Sequence, residues 1–351
     1  MASVDELLKI MREQDASDLH VTSGAPPFLR LHGSMVPLSN FRDLSNQDVQ
    51  GLLFEILSEK QKKQFIEKWE LDFAYQIPGI GRFRVNMFMQ RRGLGAVFRI
   101  IPEKIKTAEE LGLSKGIMDL IDCDKGLVLV TGPTGSGKST TLAALIHHIN
   151  ASQDLHIITV EDPIEFVHQN VKSLVNQREV GTHTKSFANA LRSALREDPD
   201  VMLVGEMRDL ETISLALTAA ETGHLVFATL HTNSAAKTID RIIDVFPEGQ
   251  QQQVRTMLAE SLRGVVAQTL FRRADGQGRV AAHEVMRCNR AISNLIRENK
   301  IHQIPSAIQT GASQGMVLFE KSVDELVRKG KISREDALTF IGKTDDVPKA
   351  S

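Results

Sequence analysis

The chain has 351 residues, of which 42 are Lys or Arg and 44 are Asp or Glu, so its formal net charge is −2. Hydrophobic residues make up 42% of the sequence, an ordinary globular composition that excludes disordered and collagen-like classes. The two cysteines, Cys123 and Cys288, cannot form a disulfide framework or a four-ligand zinc site by themselves. The near-neutral charge argues against a nucleic-acid partner. We find no apolar signal segment and no stretch long enough to span a bilayer, so we expect a cytosolic protein.

The first part of the chain predicts a small α+β domain. Ser3 and Glu6 form the pattern of a capping box at the start of an amphipathic helix. Short strand patterns follow at Leu19–Thr22 and Phe28–His32, and Ser45–Trp69 is helical in pattern. Alternating apolar residues then predict three strands, at Phe73–Ile77, Gly81–Gln90 and Gly95–Ile100.

The next part alternates strands with helices, which is typical of a doubly wound or RecA-like α/β domain. Its strands are apolar runs, and they lie at Leu127–Thr131, His156–Val160, Val201–Val204 and Leu225–Leu230. Beyond Phe246 the pattern is helical almost to the end, with a frayed tail at Lys343–Ser351. We therefore expect an N-terminal domain at residues 1–100, a linker at 101–112, a RecA-like core at 113–270 and a helical C-terminal region at 271–351.

A phosphate-binding loop follows the first of these buried strands. Residues 132–139 fit the pattern G-x-x-x-x-G-K-[ST] between a strand and a helix, the context that this motif requires. The glycines let backbone N–H groups point at phosphate oxygens, and the following helix adds partial positive charge. We expect Lys138 to reach the β- and γ-phosphates and the hydroxyl of Ser139 to ligate Mg²⁺. The predicted cradle consists of Gly132, Pro133, Thr134, Gly135, Ser136, Gly137, Lys138 and Ser139.

The strand Val201–Val204 leads to an acid, Glu206. In P-loop ATPases such a strand lies beside the P-loop strand, and its last acid orients or deprotonates the attacking water. The alternative is an ordinary surface acid after a strand. Gly205 stands where many P-loop enzymes have an Asp that helps to hold Mg²⁺. We therefore expect the metal to need Ser139, water and another carboxylate.

Three acids, Glu161, Asp162 and Glu165, come just after the strand His156–Val160. Ligands of open α/β sheets lie at the carboxyl ends of the strands, so these acids can reach the metal or its waters. The alternative is a set of solvated turn acids.

Two histidines flank the strand Leu225–Leu230. His231 follows the strand at the edge expected for Glu206, where it can sense the γ-phosphate or the next subunit. His224 precedes the strand. For His224 the sequence alone favours a capping or core role over nucleotide binding.

With these motifs in place, the chain resembles the bacterial secretion-superfamily ATPases, and within them the retraction motors of type IV pili, over nearly its whole length. Four segments are similar to the family's Walker A motif, Asp box, Walker B motif and His box, namely GPTGSGKSTT, ITVEDPIEFVH, DPDVMLVGEMRDLETI and TGHLVFATLHTNSAAKTIDRIIDVFP. The N-terminal SDLHVTSGAPPFLRLHG is similar to the opening of the family's PAS-like domain. The resemblance implies ATP and Mg²⁺ as cofactors. It adds Thr140 to the loop and places Asp162, Glu165, His224 and His231 in the nucleotide site.

The resemblance implies a hexameric, ATP-hydrolysing motor that powers pilus retraction and twitching motility at the cytoplasmic face of the inner membrane. The implied partners are other copies of the chain, a membrane platform protein of the pilus and, as an alternative, a paralogous retraction ATPase. Membrane association would be peripheral, through these partners. The chain has no extra N-terminal domain and no four-cysteine zinc element, which favours the retraction branch over extension and type II secretion ATPases. Accessory retraction ATPases stay an alternative within that branch.

The resemblance implies a role at the nucleotide for three arginines of the N-terminal domain, since arginines of that domain approach the nucleotide in related ATPases. Arg82 and Arg84 share a strand face, and Arg99 lies on a neighbouring strand. An arginine near the transferring phosphate can accelerate the reaction by about 10³–10⁵. The alternative is a solvated or salt-bridged strand face.

A C-terminal segment, AISNLIRE at 291–298, resembles a motif linked to retraction, with Ser293 where that motif has Arg. We expect Asn289 to cap a helix with Ala291, Ile292, Leu295 and Ile296 on one side. That side either packs on its own domain or transmits the motion of the ring to the pilus.

Two other classes of function compete with a motor. A RecA-like ring can translocate nucleic acid, but the neutral charge and the lack of a Lys/Arg-rich segment argue against it. A non-hydrolysing ATP-binding scaffold is the other class, and Glu206 with the acids after His156–Val160 argues against it.

Overall fold

The structure is a computed structural model, and it describes residues 3–31, 33–101 and 104–344. It divides into two compact units. One comprises Met1–Lys104 with Pro163–Val167, and the other comprises Ile105–Asp162 with His168–Ser351. The first division falls inside the predicted linker, whereas no sequence signal predicted that a segment from the middle of the chain would join the N-terminal unit.

An antiparallel sheet forms the centre of the first unit. Its strands are β1 (Asp18–Thr22), β2 (Phe28–Leu31), β3 (Ser34–Pro37), β4 (Glu70–Ile77), β5 (Gly81–Gln90) and β6 (Gly93–Ile101). Its helices are α1 (Val4–Glu13), α2 (Asn46–Glu55) and α3 (Glu59–Lys68). The strand order is β3-β2-β1-β6-β5-β4, and all neighbouring strands are antiparallel.

Local signals explain the helices of this unit. The side chain of Ser3 accepts a hydrogen bond from the backbone N–H of Glu6, and the Glu6 carboxylate accepts one from Ser3, so the predicted capping box is confirmed. The helical pattern predicted at Ser45–Trp69 is confirmed, and Ser58, which caps α3, divides it into α2 and α3. The predicted strand end at His32 lies outside the described residues.

A mostly parallel sheet of seven strands forms the centre of the second unit. Its strands are β7 (Gly126–Thr131), β8 (His156–Glu161), β9 (Leu174–Glu179), β10 (Val201–Val204), β11 (Leu225–Leu230), β12 (Leu262–Arg272) and β13 (Arg279–Arg287). The order is β13-β12-β7-β11-β10-β8-β9, with only the β12–β13 pair antiparallel. The helices are α4 (Ala108–Leu111), α5 (Lys115–Met118), α6 (Lys138–Ser152), α7 (Phe187–Ala194), α8 (Leu210–Glu221), α9 (Ala235–Asp244), α10 (Glu248–Ser261), α11 (Arg290–Arg297), α12 (Ile304–Thr310), α13 (Phe319–Arg328) and α14 (Arg334–Thr344).

Strand β7 shows why this sheet reads as continuous apolar runs. All six of its residues are buried. Leu127 and Leu129 belong to one core cluster, whereas Val128 and Val130 belong to another, so the two faces of the strand pack against different layers. The predicted RecA-like alternation of strands and helices is confirmed. Aligned registers bring the carboxyl ends of β7, β11, β10 and β8 to one edge of the sheet.

The helical pattern predicted beyond Phe246 is wrong for residues 262–287. Helix α10 ends at Ser261, and β12 begins at the next residue, pairs with β7 and turns back into β13. The glycines Gly276 and Gly278, which the sequence presents as a helix break, have φ values of 73° and 83° between the two strands. The pairing of β12 with β7 is a long-range contact, and the local pattern of apolar residues cannot predict such a contact. Residue 270, the predicted end of the core, lies inside β12.

The C-terminal helices pack on this sheet unit. Asn289 caps α11 as predicted, because its side-chain oxygen accepts a hydrogen bond from the N–H of Ile292. Ile292 and Ile296 are fully buried in the main core cluster, and Leu295 packs against it. These contacts support the packing interpretation of that stripe over the transmission interpretation. Most of the tail predicted to fray, residues 345–351, lies outside the described residues. None of the helices described here is both long and apolar enough to cross a membrane.

Candidate active site

The phosphate-binding loop connects the end of β7 at Thr131 to the start of α6 at Lys138. Gly132, Gly135 and Gly137 have φ values of 146°, 78° and 89°, which side chains other than glycine rarely allow. A Cβ atom at Gly132 would lie 2.3 Å from the carbonyl oxygen of Gln268. The loop conformation therefore requires the glycines of the motif.

The chemistry of the loop fits phosphate groups. Lys138 Nζ donates hydrogen bonds to the carbonyl oxygens of Gly132 (2.8 Å) and Pro133 (3.2 Å), so the cation lies over the loop. Among the described residues, the buried hydroxyls of Thr131 and Ser136 have no hydrogen-bond partner. Ser139 belongs to the first turn of α6, whose N-terminus has no side-chain cap. Orphaned donors, a cation and an uncapped helix N-terminus together suit an anion.

Gln268 supports the loop from β12, and the sequence analysis missed it. Its Nε2 donates to the carbonyl oxygen of Ser136 (2.5 Å), and its Oε1 accepts from Thr141 Oγ1 (2.8 Å). No local motif marks this residue, because it comes near the loop only through the pairing of β12 with β7.

Glu206 lies at the same edge of the sheet, two residues after β10 ends. Its Oε2 is 2.7 Å from an Nη2 atom of Arg208, and its Oε1 is 3.0 Å from Nε2 of His231. The side chain of Glu206 is only 19% exposed. Burial raises the pKa of this carboxyl, but the hydrogen bond from Arg208 and the charges of His231, Arg208 and Lys138 outweigh it, so the pKa is lowered. Glu206 is therefore held ionised between two basic side chains.

Arg208 is a second residue that the sequence analysis missed. Its hydrogen bond to Glu206 and the charges of Glu206 and Asp162 raise its pKa, against the opposing effect of burial. The side chain is 70% exposed, which leaves it room to move. The signal that could have identified Arg208 is its spacing of two residues from Glu206, since residues at i and i+2 of an extended segment lie on the same face.

The structure explains why glycine occupies position 205. Its N–H donates to the carbonyl oxygen of Val160, and a Cβ atom there would lie 3.1 Å from that oxygen and 3.2 Å from Cα of Glu161. A side chain at this position therefore needs the end of β8 to move by a few tenths of an ångström. Glycine fits the close backbone approach between β10 and β8 without that movement.

The three acids after β8 have different surroundings. The Oε1 atom of Glu161 accepts hydrogen bonds from Thr159 Oγ1 (2.7 Å) and Gln177 Nε2 (3.1 Å), which fix it at the strand end. Asp162 is exposed, and its negative charge helps to raise the pKa of Arg208. Glu165 belongs to the segment that joins the N-terminal unit, so its predicted role at the nucleotide stays a prediction.

The two histidines around β11 are separated by the whole strand. His231 contacts Glu206, as described above, whereas His224 precedes β11 next to the amino end of β7, where Leu225 pairs with Gly126. The six residues of β11 span about 20 Å at roughly 3.3 Å per residue. His224 Nδ1 lies 2.9 Å from the carbonyl oxygen of Ala219, so it closes the end of α8. The capping role that the sequence alone favours for His224 is therefore confirmed. The register of the sheet places His224 at the edge opposite Glu206 in its own chain, and its role in nucleotide binding, implied by the resemblance, stays a prediction.

The three predicted arginines lie on strands β5 and β6 of the first unit. Arg84 and Arg99 are register partners, so they share a sheet face, and Arg82 lies on the same face two residues along β5. Arg99 Nε is 2.7 Å from Oδ1 of Asp18, whose side chain is 3% exposed. Arg99 therefore already compensates a buried carboxylate. A catalytic role for the three arginines stays a prediction.

Comparison with known proteins places these features in a family. The type IV pilus retraction ATPase PilT of Pseudomonas aeruginosa is 57% identical over 334 residues, covering 95% of this chain and 96% of the relative. The type IV pilus ATPase PilU of the same organism is 40% identical over 343 residues, covering 98% and 90%. A crystal structure of the pilus retraction motor PilT with bound ADP superposes with a TM-score of 0.91 at 48% identity, covering 99% of this chain and 98% of that one. The profile of the Type II/IV secretion system protein family (T2SSE) matches residues 75–339, and the chain belongs to this family.

Proposed function

We propose that the protein is an ATP-hydrolysing motor that powers the retraction of type IV pili. The observation that carries this proposal is the position of Glu206, ionised and bracketed by Arg208 and His231 at the same sheet edge as the phosphate-binding loop. A purely nucleotide-binding scaffold has no need of such a carboxylate. The similarity to a pilus retraction ATPase over 95% of the chain supports the choice of pilus retraction as the work performed.

We propose a role for each of these groups. The loop glycines and Lys138 bind the phosphates. Glu206 orients the attacking water, and its lowered pKa keeps it an ionised hydrogen-bond acceptor. His231 and Arg208 fix the rotamer of Glu206 through their contacts with its two carboxylate oxygens.

We propose Mg²⁺ as the metal that accompanies ATP. When bound, it neutralises charge on the β- and γ-phosphates. Ser139, in the first turn of α6, offers a hydroxyl oxygen, and Glu161 offers a carboxylate oriented by Thr159 and Gln177. Hard oxygen donors of this kind suit Mg²⁺, and they do not complete its shell, so water would fill the rest. Gly205 has no side chain, so it contributes no side-chain oxygen to this set of metal ligands.

We propose a homohexamer as the working assembly, with Arg82, Arg84 and Arg99 contributing charge to a nucleotide site. Support comes from the sheet face that Arg82, Arg84 and Arg99 share, on which Arg84 and Arg99 are exposed, and from the family resemblance. The proposed partners are an inner-membrane platform protein of the pilus and a paralogous retraction ATPase. The proposed place of action is the cytoplasmic face of the inner membrane.

Two measurements test the proposal. Purified wild-type protein should hydrolyse ATP, whereas Lys138→Ala should lose both tight nucleotide binding and hydrolysis, because it removes the charge on the β- and γ-phosphates. In a pilus-bearing strain without other retraction motors, the wild-type gene should restore retraction and twitching. ATP hydrolysis without restored retraction would instead identify an accessory ATPase, the role suggested by the 40% identity to PilU. Absence of hydrolysis would leave the scaffold hypothesis.

A further inference from the structure

Gln268 of β12 makes two side-chain hydrogen bonds to the segment formed by the phosphate-binding loop and the first turn of α6. The residue is only 2% exposed. Its side-chain NH₂ group donates a hydrogen bond to the carbonyl oxygen of Ser136, and its side-chain oxygen accepts one from the hydroxyl of Thr141. Ser136 lies two residues before Lys138, and Thr141 lies three residues after it. The amide therefore spans the part of the chain that carries the phosphate-binding lysine and Ser139.

The orientation of the amide follows from its partners. A carbonyl oxygen only accepts hydrogen bonds, so the NH₂ group of Gln268 faces Ser136, and its oxygen then faces the Thr141 hydroxyl. Both hydrogen bonds are buried. A polar group that loses its partner costs more free energy when it is buried than when water can replace the partner. Exchanging the amide ends would bring two acceptors together, the side-chain oxygen of Gln268 and the carbonyl oxygen of Ser136.

The bond to Ser136 also determines the direction of a phosphate-binding donor. In a trans peptide the C=O of one residue and the N–H of the next point in opposite directions. Because the carbonyl of Ser136 points at Gln268, the N–H of Gly137 points away from β12. The φ of 89° at Gly137 keeps this peptide in a conformation that other residues rarely adopt.

We propose that Gln268 is a positioning residue for ATP hydrolysis, which sets the peptide between Ser136 and Gly137 and the first turn of α6 for phosphate binding. This inference rests on the ATPase activity proposed above. It makes the C-terminal hairpin part of the nucleotide site. Gln268 pairs in register with His283 of β13, whose N–H donates to the hydroxyl of Ser322 in α13.

The test uses Gln268→Met, which keeps the length of the side chain and removes both hydrogen bonds. We expect the dissociation constants of ADP and of inorganic tripolyphosphate to rise by the same factor, about tenfold or more, because only the phosphate cradle changes. Equal factors distinguish a positioning role from general loosening, which would weaken nucleoside contacts as well. Thr269→Val, whose side chain points to the other face of β12, is the matched control and should leave both constants unchanged.

Unchanged affinity for tripolyphosphate in a folded Gln268→Met protein would overturn the inference, and so would a loss confined to ADP. If Gln268→Met does not fold, Thr141→Val decides, since it removes one of the two bonds and keeps the shape of the side chain. We expect roughly a threefold rise in both constants for Thr141→Val, and no rise would overturn the inference. A wild-type protein that binds but does not hydrolyse ATP would refute the proposed function and leave these binding measurements valid.

Discussion

Strand β11 has a histidine just beyond each end, and the two lie in different chemical surroundings. At the carboxyl end, His231 Nε2 is 3.0 Å from the carboxylate of Glu206. At the amino end, His224 Nδ1 is 2.9 Å from the carbonyl oxygen of Ala219, in the last turn of α8. One histidine contacts a candidate catalytic acid, and the other closes a helix.

The difference follows from the direction of the strands. In a parallel sheet the carboxyl ends of the strands and the N-termini of the helices meet at one edge, where partial positive charge collects. The amino edge has the opposite character: a cavity of about 380 Å³ there is lined by Asp122, Asp124 and Asp200, together with His224. The register of the sheet therefore keeps His224 away from the phosphate-binding loop of its own chain.

The largest effect that the comparison predicts is at Glu206. Glu206→Gln should lower ATP turnover by about a hundredfold or more, because the neutral amide cannot orient or deprotonate water in the same way. Nucleotide binding should persist, since the loop and Lys138 are unchanged. Steady-state hydrolysis and a fluorescent-nucleotide titration check both statements. Glu221→Gln, an exposed acid at the end of α8, is the control from the amino edge, and near wild-type turnover in Glu206→Gln would refute the catalytic role.

The next effect concerns Arg208. Arg208→Ala should lower turnover by roughly tenfold and also change its pH dependence. Arg208 lowers the pKa of Glu206, so without it that pKa rises, and activity should be lost at a higher pH as the solution is acidified. Arg208→Lys should return the acidic limb of the pH–rate profile toward that of the wild type. Identical acidic limbs in all three proteins would show that Arg208 does not act on Glu206.

The two histidines give the most direct contrast. His231→Ala should lower turnover by about tenfold, because Glu206 loses one of its two fixed contacts. His224→Ala should leave turnover within about twofold and lower the melting temperature slightly, as expected for a lost helix-end hydrogen bond. Equal losses of turnover in the two variants would break the comparison between the edges, and would indicate that His224 acts on a neighbouring subunit.

The smallest effect concerns stability at low pH and a third histidine. Burial lowers the pKa of His283 to about 4, against about 6.5 in an unfolded chain. Between these values the unfolded state binds the additional proton, so the free energy of unfolding should fall as the pH falls from 6.5 to 4, by up to about 1.4 kcal/mol per pH unit.

Urea unfolding of His283→Gln between pH 7 and pH 5 measures this contribution. The variant should lose less stability than the wild type over this interval, and the exposed His302→Gln should behave as the wild type does. Part of the slope should remain in the variant, because burial also lowers the pKa of His168 to about 4. An unchanged slope in His283→Gln would show that His283 is protonated in the folded protein.

The sequence predicted those parts of the site that are contiguous in the chain. The loop at 132–139 and Glu206 after β10 are marked by local patterns of glycine, charge and apolar runs. Gln268 could not be predicted, because its contact with Ser136 depends on β12 pairing with β7 across more than a hundred residues. The same long-range pairing turned a helical pattern at 262–287 into a hairpin.

His224 shows a second limit of local patterns. The resemblance implies a place for it in the nucleotide site, whereas the residues alone favour a capping role, and the six residues of β11 separate it from the edge where Glu206 lies. Arg208 shows the reverse case, since its spacing from Glu206 was legible in the sequence. Gly205 departs from the usual acidic pattern, and the backbone of β8, 3.1 Å from a Cβ atom at this position, is a long-range contact that the sequence does not show.

The division of the chain into units has a consequence for its synthesis. The first unit includes Pro163–Val167, so the ribosome has to deliver the phosphate-binding loop, α6 and β8 before that unit has all of its residues. Domains usually fold in order as they emerge, the N-terminal one first. All six strands of the N-terminal sheet precede Lys104, so the sheet is complete in sequence before the phosphate-binding loop is made, and only the contacts of Pro163–Val167 are added to this unit afterwards.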